Sequence, residues 1–152
     1  MQSVILYGAP VWCDALVSSK SSQRVFNRIQ RTLAIRVMSA YRTVSCEAAS
    51  LLARIPPFYM LATCRRRVYE QIDAQKWRDD WTTQAAKEIK FAESLILERQ
   101  WKIHLSNPSL YGKHILEVIN PNFEEWIARS HGRLGYYLTQ FLTGHGLRVF
   151  PA

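Results

Sequence analysis

No apolar run in this sequence approaches the ~18 residues a membrane-spanning helix requires, so a bilayer-crossing reading is excluded. The apolar start, residues 1–17, lacks a basic beginning and carries Pro10 and Asp14, which argues against a secretory leader. Cysteine is scarce, odd in number and widely spaced: Cys13, Cys46 and Cys64. That excludes a disulfide framework and suits a reducing, intracellular setting, cytoplasmic or nuclear. His104, His114, His131 and His145 have no metal-ligand spacing with each other or with the cysteines, so no metal site is expected. There is no Ser/His/Asp order, no phosphate loop and no Gly-x-Gly-x-x-Gly, and hence no expected cofactor and no candidate catalytic residue. Trp77-Arg78-Asp79-Asp80 superficially matches the Asp-Asp signature of a polymerase palm. Two-metal chemistry needs such carboxylates at a tight hairpin between apolar strands, and the flanks here are polar. Asp79 and Asp80 read as helix-end charges.

A further scarcity is more telling. Between Arg24 and Arg67 there is no lysine and only one acid, Glu47, against nine arginines. That window carries a net +8, the formal charge of the whole 152-residue chain. A pI near 9.7 points to an anionic partner, either nucleic acid or an acidic membrane surface. With 48% hydrophobic and 21% charged residues the chain is no disordered polyelectrolyte. Its length allows one compact domain, or a smaller one with an extended tail.

Residues 23–41 read as one helix. At 100° per residue Val25, Phe26, Ile29, Leu33, Val37 and Ala40 share an arc, the pattern of a core-facing stripe. Arg24, Arg28, Arg31 and Arg42 cluster opposite. A face needed only for solubility usually mixes both signs, whereas guanidinium forks without an acid suit phosphate oxygens. These four arginines are the candidate nucleic-acid-binding set, and Arg66 and Arg67 are candidates to extend it.

Elsewhere the pattern is helical, and a small all-α bundle is expected. Residues 3–16, interrupted by Gly8 and Pro10, should form two short pieces meeting at a bend, with Leu6 to Trp12 buried. Ser45 can cap a short helix to about Arg54, with Glu47 favourable in its first turn. Ile55-Pro56-Pro57 breaks that helix and opens the next, whose stripe is Leu61, Cys64, Val68 and Ile72, with Arg65 snorkelling at its edge. A long helix follows over about 84–105, with Ala85, Ile89, Ala92, Ile96 and Ile103 aligned and Glu98 paired to Lys102. Beyond Pro108, glycine and proline punctuate shorter segments until Leu134, Leu138, Phe141 and Leu142 mark a last helix ending at Gly144. Trp12, Phe26, Tyr69 and Phe141 fit core roles. The expected division is a bundle over 1–105 and a less regular extension over 106–152.

Four segments together resemble the region that follows the polymerase palm in insect non-LTR (LINE-type) retrotransposon polyproteins, of the clade that inserts into ribosomal RNA genes. They are Leu6-Tyr7-Gly8-Ala9-Pro10-Val11-Trp12, Gln30-Arg31 through Ala40-Tyr41-Arg42-Thr43-Val44-Ser45, Ile55-Pro56-Pro57, and Tyr136-Tyr137-Leu138-Thr139-Gln140-Phe141-Leu142-Thr143-Gly144-His145-Gly146. The resemblance implies the helical thumb of a reverse transcriptase (an RNA-directed DNA polymerase) plus the connector behind it. In that family a palm with catalytic aspartates and an endonuclease lie upstream, and a Cys/His knuckle usually follows. None of these is in this sequence, so a fragment of a transposable element is implied and no catalytic residue can be carried over. A thumb holds the backbone of a primer–template RNA/DNA duplex, in the parent enzyme beside its palm domain. The competing readings are a helical protein–protein interaction module and a functionless remnant.

Overall fold

The computed structural model describes residues 2–129 and 135–143. Every regular element among them is helical and no strand is present there, as the periodicity implied. The compact units are interleaved and differ from the linear division expected from the pattern. One comprises residues 1–26 and 56–101, the other residues 27–55 and 102–152.

In the first unit, α1 (Gln2–Ile5) and α2 (Ala9–Ser18) meet at Gly8, whose φ of 70° makes the bend. Pro10 sits in the first turn of α2, where its missing N–H costs nothing. Leu6, Ala9, Cys13 and Leu16 form the buried stripe, spaced three and four residues apart, and pack with Ala62 of α5 (Phe58–Trp77). Trp12 and Phe26 lie against this cluster with ring centroids 5.4 Å apart. Tyr7 and Val11 are exposed, so Leu6 to Trp12 is amphipathic instead of wholly buried. The α5 residues Leu61, Cys64, Val68 and Ile72 are half-buried, while Phe58 and Ala62 carry its fully buried contacts. Tyr69, expected in the core, is exposed. After α5 the chain turns at Arg78 and Asp79, the latter at φ 60°, and Asp80 is exposed beyond it. These are helix-end charges as read. Thr82 Oγ1 then accepts the Ala85 N–H and caps α6 (Thr83–Leu105).

The expected core line of α6 is rotated. Ala92, Ile96 and Ile103 are exposed, and the buried line is Ala86, Glu93, Leu97 and Trp101. A buried acid is tolerated there because Glu93 accepts from Arg67 Nε and Gln71 Nε2, each at 2.6 Å. Hydropathy alone had placed the core about a third of a turn away, on the line that avoids Glu93.

Helix α3 (Lys20–Met38) contributes its start to the first unit and most of its length to the second. Its buried residues are Gln30, Ala34 and Met38, again about a third of a turn from the expected stripe. Val25, Ile29 and Val37 are 54%, 42% and 69% exposed. The reason parallels that in α6: Gln30 is buried because its Nε2 donates to Ser50 Oγ and the Ile55 carbonyl, both at 3.1 Å.

The second unit is centred on α4 (Cys46–Ala53), in which Ala48, Ala49, Ser50, Leu51 and Leu52 are all buried. Ser45 caps it as expected, accepting the Ala48 N–H at 3.2 Å, and Glu47 occupies the first turn. Ser45 Oγ also donates to the Tyr111 carbonyl at 2.9 Å, tying α4 to the entry of α7 (Lys113–Ile119). A 3-10 turn at Asn120–Asn122 leads into α8 (Phe123–Ala128), and α9 (Tyr136–Leu142) follows. Ile115, Leu116, Ile119 and Phe123 supply buried apolar contacts. Trp126 Nε1 donates to the Leu51 carbonyl at 3.0 Å. In α9 the buried residues are Thr139 and Gln140, and both bond back to the end of α3, at the carbonyls of Met38 and Ser39. Leu138 and Phe141, expected to face the core, are exposed. Leu134, His131, His145 and Gly144 lie outside the described residues. Lys102 Nζ bonds Glu124 Oε1 at 2.7 Å, not the expected Glu98.

Candidate nucleic-acid interface

The six arginines singled out from sequence have different surroundings. In the first unit, Arg66 is bridged to Asp14 on α2 and to Glu70 one turn on along α5, the latter at 2.7 Å. The hydrogen bond to Asp14 is the main cause of a raised guanidinium pKa, with the Glu70 bond adding to it. Reciprocally, that bond holds the Asp14 carboxyl below the usual range. Arg67 Nε lies 2.6 Å from the buried Glu93. Both side chains are therefore committed to acids that hold α5 to its neighbours. Arg65, as expected at the stripe's edge, reaches back to the Leu6 carbonyl at 3.2 Å. Arg24 is exposed and meets no acid or carbonyl among the described residues.

In the second unit, Arg31 is half-buried. Its Nε donates to the Val44 carbonyl at 2.9 Å and its Nη2 to the carbonyl of Arg42. The guanidinium thus satisfies two backbone acceptors in the turn between α3 and α4. That leaves Arg31 a loop clamp, and Arg42 the residue the clamped loop presents. Arg28 and Arg42 are exposed, with no bonded partner for either guanidinium among the described residues. Arg36 shares these properties and was not in the expected set. It lies about 80° around the helix from Arg28, within the arc of the stripe expected from sequence. Once the stripe is rotated to Gln30, Ala34 and Met38, Arg36 falls on the solvent side. The signal that could have placed it was the polarity of Gln30, which looked like a surface residue and is not.

Of the six expected residues, then, Arg24, Arg28 and Arg42 have guanidiniums without a bonded partner among the described residues, Arg36 joins them, and Arg31, Arg66 and Arg67 are occupied within the fold. The other arginine clusters are also structural. Arg54 Nη1 donates to the carbonyls of Ile127 and Arg129, at 3.3 and 2.7 Å. Arg129 lies 3.6 Å over the Trp126 ring, and burial, reinforced by Arg54, lowers its pKa.

Two open pockets of about 540 and 490 Å³ lie in the second unit. The smaller is lined by Thr43, Ser45, Tyr111, Lys113, His114 and Thr143 among others, next in sequence to Arg42. Among the described residues no group of three His, Cys, Asp or Glu side chains could hold a metal ion. No helix there is long and apolar enough to cross a membrane. The cysteines are free, Cys13 buried and Cys46 and Cys64 half-buried, and burial raises the latter two thiols' pKa. No protein-family model, curated protein or solved structure matches the chain.

Proposed function

We propose that this chain holds nucleic acid by its phosphate backbone, without base readout and without catalysis of its own, and that it derives from the thumb and connector of a retrotransposon reverse transcriptase. The derivation rests on the four sequence segments described above. The binding role rests on one observation: Arg24, Arg28 and Arg36 on α3, with Arg42 beyond it, are exposed arginines that meet no acid among the described residues. An unpaired guanidinium loses little by exchanging water for a phosphate oxygen, whereas one already bound to a carboxylate must first give it up. Arg31 serves the same role indirectly, as the residue that fixes the backbone of Arg42.

A fluorescent duplex titrated with the full chain at several salt concentrations tests this. Nonspecific affinity on the order of 10⁻⁴–10⁻⁶ M, indifferent to sequence, is expected at physiological salt. Each of Arg24→Ala, Arg28→Ala, Arg36→Ala and Arg42→Ala should reduce the magnitude of the log–log salt slope by about one. A folded quadruple variant with unchanged slope and affinity would remove the nucleic-acid role. One observation favours a protein partner instead: the exposed Val25, Ile29 and Val37 on the same helix. If a protein were the occupant, changing Val25 and Val37 to serine would abolish binding that the arginine variants leave intact.

A further inference from the structure

The solvent face of α6 is apolar where a solvent face should be polar. Phe91, Ala92, Leu95 and Ile96 are all exposed, Phe91 by 65%. Glu88 stands at one end of this patch and Arg99 at the other, both exposed. Glu88 accepts one hydrogen bond, from Gln84 Nε2 on its own helix, and Arg99 meets no partner among the described residues. Arg99 comes eleven positions after Glu88, three turns plus about 20°, so the two charges lie almost in line.

This arrangement is complementary to itself when reversed. Two such helices laid antiparallel, related by a two-fold axis across the patch, would set Glu88 of each copy opposite Arg99 of the other. The same register would set Phe91 opposite Ile96 and Ala92, the small residue, opposite the branched Leu95. An isologous interface requires a patch that matches its own inverted image, and a charge of opposite sign at each end of an apolar strip meets that requirement. It also disfavours the parallel arrangement, in which like charges would face each other. We propose that this face of α6 is a self-association surface on which two copies of the chain pair antiparallel. The inference is independent of the nucleic-acid reading, since it uses none of those arginines.

One helix face buries less than the ~800 Å² per partner of a standard interface, so the expected dimer is a weak one. Sedimentation of the full chain over roughly 1–500 μM should show a reversible monomer–dimer equilibrium with a micromolar-range constant. Glu88→Arg alone, or Arg99→Glu alone, should weaken association about tenfold, because each creates two like-charge contacts. Mixing these two variants in equal amounts restores two opposite-charge contacts and should return affinity to near the native value. Phe91→Glu should weaken association at least tenfold, and its exposure in the monomer spares the fold. A chain that stays monomeric throughout overturns the proposal. So does a dimer indifferent to both single reversals, or one that the mixture fails to rescue.

Discussion

Arg67 is committed to the fold through Glu93, and its removal can be costed. Glu93 is 4% exposed and has two partners, Arg67 Nε and Gln71 Nε2. Arg67→Ala leaves a buried carboxylate with one neutral donor. Breaking a fully buried pair this way costs about 3–5 kcal/mol. Arg67 is 29% exposed, and its Nη2 is buried without a hydrogen-bond partner among the described residues, so the pair is both partly screened and incompletely satisfied. About 2 kcal/mol is the better figure after that discount. For a chain of this size it corresponds to a fall in Tm of roughly 4–8 °C. Urea unfolding followed by far-ultraviolet circular dichroism gives the measurement, with Arg24→Ala as the exposed comparison, expected within about 0.5 kcal/mol of native. Adding Glu93→Leu to Arg67→Ala should recover part of the loss, since no buried charge then remains. Equal stability of Arg67→Ala and Arg24→Ala, or a double variant no better than the single, would refute a structural role for the Arg67–Glu93 pair. A salt slope for duplex binding that Arg67→Ala reduces by one would return Arg67 to the phosphate-contacting set.

Ile29→Asp, which a core position would make ruinous, should cost no more than about 1 kcal/mol because Ile29 is 42% exposed; Leu51→Asp, at a fully buried site, should abolish the cooperative urea transition. Gly112→Ala should be destabilising by at least about 1 kcal/mol: φ there is 88°, and an added Cβ would come within 2.5 Å of Ser45 Oγ and 3.1 Å of Ala48 Cβ. A thermal melt no lower than native would contradict that geometry. Cys46 and Cys64, with thiol pKa values raised chiefly by burial, hold less thiolate at pH 8 than a free cysteine does. Iodoacetamide labelling followed by mass spectrometry should find both slower than a cysteine-containing peptide, and equal rates would refute the assigned environments.

Punctuation made the helix ends legible. Ser45 caps α4 and Pro56-Pro57 precedes α5, as read from residue type alone. The rotation of α3 and α6 about their axes was not legible, and for one physical reason. Each buries a polar side chain, Gln30 or Glu93, whose partners are distant in sequence: Ser50 and Ile55 for one, Arg67 and Gln71 for the other. A hydropathy count treats such a residue as surface and turns the helix accordingly. The candidate site inherited both the success and the failure. The arginine-rich stretch was identifiable by counting, but Arg31, Arg66 and Arg67 could be told from Arg24 and Arg28 only by the carbonyls and carboxylates brought to them in space.

The interleaving of the two units has a consequence during synthesis. Residues 27–55 belong with residues 102–152, yet 46 residues of the other unit lie between them in the chain. At about 5–20 residues per second, α4, which carries Ala48, Leu51 and Leu52, would wait roughly 2–9 s for the first of residues 102–152 to be made. The first unit is also interrupted, but its second segment ends at Trp101, so it can complete itself earlier. Vectorial synthesis therefore orders the two units in time, with the helix that carries Arg28 and Arg36 among the last to be secured along its full length. A nascent chain stalled just after Trp101 would already be able to close the cluster of Leu6, Ala9, Cys13, Leu16 and Ala62, while α4 still had its apolar side exposed to whatever chaperone stood nearest.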